Sequence, residues 1–98
     1  MRNGVYKVRE FESAVSSKFN VPFAQAVSSG SAALRVALAA LEVGPGDEVI
    51  IPAFTFVGTA EAVVQAGAEL VIVDIDESFN IDPDAFSAAI TSKTKAIV

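Results

Sequence analysis

The chain has 98 residues, of which 52% are hydrophobic and 19% are charged, a composition that suits one small folded domain and argues against disorder. Its formal net charge of -5 argues against a protein that binds the phosphate backbone of nucleic acids. Cysteine and histidine are both absent, so the sequence lacks thiolate ligands and the commonest metal ligand and general base, and we expect no metal site.

The first half of the sequence alternates predicted helices and strands. Apolar residues at helical spacing predict an amphipathic helix over residues 7–19, which Pro22 follows. Residues 23–27 are predicted to form a short strand. A second helix, apolar around most of its circumference, is predicted over residues 31–42, and the next strand over residues 48–51.

The second half continues the alternation. A helix is predicted over residues 55–66 and a strand over residues 68–75, whose continuous apolar run suits a sheet covered on both faces. Asp82 is predicted to cap a helix that begins at Pro83, and a last strand begins near Ala96. This alternation predicts an α/β fold with a mainly parallel sheet. Because the last strand stops abruptly, we expect a piece of a longer α/β domain.

Four small residues, Ser28 to Ser31, separate the predicted strand 23–27 from the helix that follows. Free backbone N–H groups and the helix dipole favour an anion at such a turn, and Gly30 allows close approach. A phosphate is therefore one candidate ligand. The alternative is that Ser29 or Ser31 only caps the helix while Gly30 makes the turn.

Phe54, Thr55 and Phe56 follow the next predicted strand, and therefore lie at the same edge of the sheet. Either aromatic residue alone is explained as part of the core. An aromatic residue beside a phosphate site can also stack on a planar ring, and a phosphate with a planar ring is typical of a cofactor.

Four motifs occur together in this sequence: SSGSAAL, GPGDEVI, PAFTF, and NIDP followed by ITSKTKAI. With them the chain resembles, from about Val8 to Val98, the sugar aminotransferases of the DegT/DnrJ/StrS type, which are pyridoxal-phosphate enzymes. The resemblance implies the fold-type I pyridoxal-phosphate transferase fold, a mainly parallel sheet with flanking helices. Residues 1–98 would be an incomplete amino-terminal part of its cofactor-binding large domain. The strand 48–51 would lie between the strand 68–75 and the strand that begins near Ala96. The strand 23–27 would pair with a strand from the region beyond Val98.

The resemblance also implies site residues. Gly30, Ser31 and the backbone N–H of Ala32 match the positions that bind the phosphate of pyridoxal 5'-phosphate, and Phe56 matches the aromatic residue that stacks on its ring. Thr55 and Phe54 would support Phe56. Asp74 and Asp76 could suggest an acid pair, but we interpret them as structural residues at a strand end.

No catalytic residue is expected within these 98 residues. The Schiff-base lysine of the family, and the acidic residue that pairs with the pyridine nitrogen, belong to a region beyond Val98. None of the four lysines, Lys7, Lys18, Lys93 and Lys95, matches the catalytic position. We therefore expect that this chain alone does not transaminate, and whether it binds the cofactor alone stays open.

For a full-length relative, the resemblance implies transfer of an amino group from glutamate or glutamine to a keto group of a nucleotide-linked sugar. It also implies a homodimer. From the net charge and the short apolar runs we expect neither nucleic acid nor a membrane as a partner. No apolar run has membrane-spanning length, and residues 1–4 lack the apolar core of a signal peptide. We expect a cytoplasmic protein. The alternatives are a non-catalytic truncated fragment or remnant, and a sugar dehydratase on the same scaffold.

Overall fold

The structure is a computed structural model that describes residues 6–98, where four helices alternate with three strands. In chain order the elements are α1 (Lys7–Phe19), α2 (Gly30–Ala40), β1 (Glu48–Pro52), α3 (Val57–Gln65), β2 (Glu69–Val73), α4 (Pro83–Ala89) and β3 (Thr94–Ile97).

The three strands form one parallel sheet in the order β2-β1-β3. Glu48 pairs with Glu69 at one end of β1, and Pro52 pairs with Val73 at the other. Helices flank the sheet, as parallel strands require because each connection must cross back over a face. The predicted α/β class and parallel sheet are confirmed, and β1 lies between the two strands that the resemblance assigned as its neighbours.

The core is centred on β1. Val49 and Ile51 pack in one cluster with Leu38 of α2 and Val63 of α3. Ile50 lies between them in sequence, so its side chain points to the opposite face of the sheet, where it is fully buried. Burial on both faces explains why β1 consists of consecutive apolar residues.

Several element boundaries follow from specific end contacts. Asp82 accepts a hydrogen bond from the N–H of Asp84 at 2.9 Å and Pro83 is the first residue of α4, so the predicted cap is confirmed. After α2 the chain turns at Glu42, whose φ is 56°. The ammonium group of Lys95 donates to the Glu42 carbonyl at 2.8 Å and lies 3.4 Å from an Asp47 carboxylate oxygen. Lys95, a residue of β3, thus holds the turn between α2 and β1 in place.

The predicted strand over residues 23–27 is wrong. The structure has no strand there, because no strand in residues 6–98 lies alongside this segment to pair with it. Two of its backbone groups are bonded to side chains instead. The N–H of Ala26 donates to a carboxylate oxygen of Glu12 at 2.9 Å, and the Ala26 carbonyl accepts from the Gln25 amide at 2.9 Å. Glu12 belongs to α1, so α1 and this segment are tied together.

Helix α1 has the predicted bounds and ends at Asn20, which has a left-handed φ of 52°. None of its side chains is buried. Its apolar stripe, which predicted a buried face, is therefore largely exposed. Ser16 donates to the carbonyl of Val21 at 2.5 Å and so fixes the turn that follows the helix.

Residues 1–5 lie outside the described part of the chain, so the statement about a signal peptide in residues 1–4 concerns residues that the structure does not describe. Within residues 6–98 the longest helix has 13 residues, and none combines the length and the hydrophobicity of a membrane-spanning segment.

Candidate functional site

The amino end of α2 forms one side of the candidate site. Ser29 has extended backbone angles and caps the helix, because its hydroxyl oxygen accepts the N–H of Ala32 at 3.1 Å. Within residues 6–98, the backbone N–H groups of Gly30 and Ser31 have no acceptor. A methyl group added at Gly30 would meet no atom within 4 Å. The start of α2 is therefore open and has unused donors.

The amino end of α3 forms the other side. The chain leaves β1 at Pro52 and reaches Phe56, which occupies the capping position of α3 without a side-chain bond to the helix. The ring of Phe56 is prominent, since this residue is 71% exposed. Just inside the helix, Thr59 is only 7% exposed, and its hydroxyl lies 3.0 Å from that of Thr55.

The two helix ends border one cleft of about 450 Å³. It is lined by Ser29, Gly30, Ser31, Leu34, Phe56 and Thr59. Close to two of these residues, Phe56 and Ser31, lies Gly58, which is buried. A Cβ atom there would lie 2.7 Å from Cε1 of Phe56 and 3.2 Å from Oγ of Ser31. The absence of a side chain at Gly58 thus lets the ring and the hydroxyl approach the same point.

Three of the four residues expected to bind the cofactor, Gly30, Ser31 and Phe56, lie together in this cleft. The fourth, Ala32, contributes its N–H to the Ser29 cap instead. Ala32 also lines a different cavity, of about 390 Å³, between α2 and α3. An anion in the cleft therefore finds the N–H groups of Gly30 and Ser31 free and that of Ala32 already engaged.

Sequence reasoning missed Gly58 and Thr59. Their signal was present, since a glycine two residues after an aromatic residue leaves room for a ring, and a threonine in an apolar helix needs a hydrogen-bond partner. Thr55, predicted as a supporting residue, is that partner. Phe54 lies away from the cleft lining and packs against Phe79, with ring centroids 5.7 Å apart.

The electrostatics of the cleft depend on the backbone. None of the residues that line it is charged, and the first turn of α2 has no acidic residue. The positive end of the helix dipole, equivalent to roughly half an elementary charge, is therefore not cancelled locally. The cleft is suited to an anion, although it offers a phosphate no full positive charge.

The aspartates after β2 do not contribute to the cleft. Asp76 organises a turn: its carboxylate accepts the hydroxyl of Ser78 at 2.5 Å and the Ser78 N–H at 2.8 Å. These two bonds hold the pKa of Asp76 below its ordinary value, the hydroxyl having the larger effect. Asp74 contributes its carbonyl to the N–H of Asp82 at 3.0 Å.

Comparison with known proteins relates this arrangement to a family. Residues 1–98 match the model of the DegT/DnrJ/EryC1/StrS aminotransferase family along their whole length. The chain belongs to that family. The predicted resemblance to sugar aminotransferases of this type is therefore confirmed.

Two curated aminotransferases are similar to the chain. The UDP-2-acetamido-2-deoxy-3-oxo-D-glucuronate aminotransferase of Pseudomonas aeruginosa is 44% identical over 100% of the chain and 29% of its own length. The UDP-N-acetyl-3-dehydro-α-D-glucosamine 3-aminotransferase of Acidithiobacillus ferrooxidans is 50% identical over 92% of the chain and 25% of its own length. The chain thus spans about a quarter of the length of these relatives.

Among solved structures, Spr1654 of Streptococcus pneumoniae in its PLP form superposes with a TM-score of 0.91 at 40% identity. The match covers 98% of this chain and 26% of that one. The α/β arrangement described above is therefore also the arrangement of the matching quarter of Spr1654.

Proposed function

We propose that residues 1–98 are the amino-terminal part of the cofactor-binding large domain of a pyridoxal-phosphate-dependent aminotransferase that acts on a keto nucleotide-sugar. One observation carries the proposal: the open N–H groups at the start of α2, the Ser31 hydroxyl and the exposed Phe56 ring share one cleft. The names of the two curated relatives, both aminotransferases of UDP-linked keto sugars, support the substrate class.

The phosphate of the cofactor fits the α2 side of the cleft. It would accept hydrogen bonds from the N–H groups of Gly30 and Ser31 and from the Ser31 hydroxyl, and the absence of a Cβ at Gly30 leaves room for it. The N–H of Ala32 already donates to the Ser29 hydroxyl. It would also bind the phosphate only if the two acceptors shared this N–H. A helix N-terminus with free N–H groups is a common phosphate site.

The planar part of the cofactor fits the α3 side. Phe56 would place one face of its ring against the pyridine ring, and its high exposure leaves that face available. Bound pyridoxal phosphate supplies an electron sink for amino-group chemistry. The residues of this chain would bind and orient it.

The four lysines take no part in the cleft. Lys95 is engaged with Glu42 and Asp47, Lys7 pairs with Glu10 at 2.7 Å, and neither Lys18 nor Lys93 lines the cleft. We therefore propose that the covalent and acid–base steps belong to residues outside this sequence. With them we propose glutamate or glutamine as amino donor, a homodimer and a cytoplasmic location.

The test uses the complete natural protein that contains this sequence and compares its affinity for pyridoxal phosphate with that for pyridoxal, which lacks the phosphate. Ser31→Ala should weaken the binding of pyridoxal phosphate by about tenfold to hundredfold, as expected for one hydrogen bond to an anion, and leave pyridoxal unaffected. Phe56→Ala should weaken the binding of both.

Ser17→Ala, an exposed site on α1, is the matched control and should change neither affinity. Amino transfer from glutamate to a UDP-linked keto sugar, followed by mass spectrometry of the product, tests the substrate class. Equal affinities for the two ligands in the unaltered protein, or a silent Ser31→Ala variant, would contradict the assignment of the phosphate site.

A further inference from the structure

Thr55 and Thr59 form a hydroxyl pair at the start of α3, beside the candidate cleft. Their Oγ1 atoms lie 3.0 Å apart. Among residues 6–98, Thr59 is the one polar residue that is buried. A buried hydroxyl costs stability unless it has a hydrogen-bond partner, and Thr55 is the partner of Thr59. The pair is therefore a definite link between the loop after β1 and the first turn of α3.

Phe56 lies inside this link. Thr55 is the residue before it, and the N–H of Thr59 donates to the Phe56 carbonyl at 3.0 Å. Phe56 occupies the capping position, but a phenyl ring cannot accept the free N–H groups of the first turn. The hydroxyl pair accepts none of those N–H groups, but it joins the residue before Phe56 to the first turn of the helix. It therefore holds the backbone of Phe56 on both sides.

The ring of Phe56 has little else to hold it. It is 71% exposed, and its edge rests above Gly58, where a Cβ atom would lie 2.7 Å from Cε1. With so few neighbouring atoms, the position of the ring depends mainly on the backbone of Phe56 and on the contact with Gly58. The threonine pair fixes this backbone, and therefore determines where the ring lies in the cleft.

We infer that Thr55 and Thr59 are positioning residues: their hydroxyl pair holds Phe56 where its ring can stack on the ring of the cofactor. The inference rests on the proposed function, in which Phe56 is the stacking residue. It assigns to both threonines a role that acts through Phe56. Thr59 also lines the cleft, so Thr55, which does not, gives the cleaner test.

The experiment uses the complete natural protein with pyridoxal phosphate, and four variants: Thr55→Val, Thr59→Val, Thr59→Ser and the double Val variant. Valine keeps the shape and removes the hydroxyl, whereas serine keeps the hydroxyl. The readouts are the affinity for pyridoxal phosphate and the visible circular dichroism of the bound cofactor, which reports how its ring is held.

Each single Val variant should weaken cofactor binding by about threefold to tenfold, the effect of losing one hydrogen bond, and should reduce the dichroic signal. The double variant should be no worse than either single variant, because both remove the same bond. Thr59→Ser should restore binding and signal. Thr55 is exposed, so Thr55→Val answers the question even if Thr59→Val fails to fold.

Thr94→Val is the matched control, because Thr94 also makes a side-chain hydrogen bond, to the Thr91 N–H at 2.8 Å, but lies at the opposite end of the sheet. It should leave the cofactor signal unchanged. Additive effects of the two Val substitutions, or silent Val variants beside a damaging Phe56→Ala, overturn the inference alone. A silent Phe56→Ala overturns the proposed stacking role, and the inference with it.

Discussion

Two regions of this chain hold their structure by different means. The layer made of α2, β1 and α3 has an apolar core in which Val49 and Val63 are fully buried, and Ile50 is fully buried on the other face of β1. Helix α1, in contrast, has no buried side chain. This helix and the segment that joins it to α2 are held by polar bonds, such as those of Glu12 and Ser16. The radius of gyration, 16.2 Å, exceeds the roughly 13 Å of a compact domain of this length.

This difference shows which region holds the binding groups of the candidate site in position. The donors at the start of α2 and the ring at the start of α3 both belong to helices packed on the core, so their relative position is determined by burial. Ser28 and Ser29 connect this core to the loosely held region. The cleft thus lies at the boundary between the two regions, with its binding groups on the rigid side.

The largest effect is expected in the core. Ile50→Ala removes a fully buried side chain from the central strand and should lower the free energy of unfolding by about 2–5 kcal/mol, the usual cost of such a cavity. Phe19→Ala on α1 removes a larger side chain, yet should change it by no more than about 0.5 kcal/mol, because Phe19 is 70% exposed. Urea unfolding of the 98-residue chain measures both values.

A Phe19→Ala variant as unstable as Ile50→Ala would contradict the contrast between a buried core and an exposed helix α1. It would mean that the apolar stripe of α1 is covered in solution, for example by a second copy of the chain. Size-exclusion chromatography with light scattering on the same samples would identify that state.

A smaller effect is expected where polar bonds replace burial. Glu12→Ala leaves the half-buried N–H of Ala26 without its acceptor and should cost about 1 kcal/mol, at the lower end for an unsatisfied group because water reaches this segment. Hydrogen exchange at the Ala26 amide should become faster. Glu12→Gln, which keeps an oxygen acceptor, should retain most of the protection.

Glu10→Ala is the control for this test, since it removes a carboxylate from the same helix and breaks only an exposed ion pair with Lys7. It should leave exchange at Ala26 unchanged. Equal protection in Glu12→Ala and the unaltered chain would show that Ala26 is held by something other than α1, and would remove the distinction between the two regions at this point.

The fold was predictable where the signals are local. Periodicity identified all four helices, and the apolar runs identified the three strands of the sheet, because both depend on neighbours in the sequence. The segment 23–27 failed for the opposite reason. Its composition suits a strand, but a strand exists only with a partner, and none of the described residues provides one. The exposed stripe of α1 is a similar case, since periodicity predicts a face but not what covers it.

The candidate site was predictable to the same degree. The rule that ligands of parallel sheets lie at the carboxyl ends of strands pointed to the turn at Gly30 and Ser31, although no strand precedes that turn in the structure. The family resemblance singled out Phe56. The engagement of the Ala32 N–H by Ser29 depends on which of two serines caps the helix, which sequence reasoning left open. Gly58 and Thr59 carried a signal in the sequence, but their contacts with Phe56 and Thr55 depend on side-chain packing across one turn of α3, which the sequence pattern does not specify.

The smallest effect is expected in a third, exposed region held by polar bonds, the turn of Asp76 after β2. The Ser78 hydroxyl and N–H hold the pKa of Asp76 below its ordinary value, so this carboxylate favours the folded turn when it is charged. Its contribution is present above the ordinary pKa, about 4, and is lost as the pH falls through the lower, folded value. Ser78→Ala removes the larger cause, so the pKa of Asp76 should rise toward the ordinary value, while the N–H bond keeps it from returning fully. A proton NMR titration of the Asp76 side chain measures this shift, and Ser87→Ala, an exposed serine on α4, should leave it unchanged. An Asp76 that titrates alike in all three proteins would mean that the turn opens in solution, and that polar bonds alone do not hold an exposed segment of this chain.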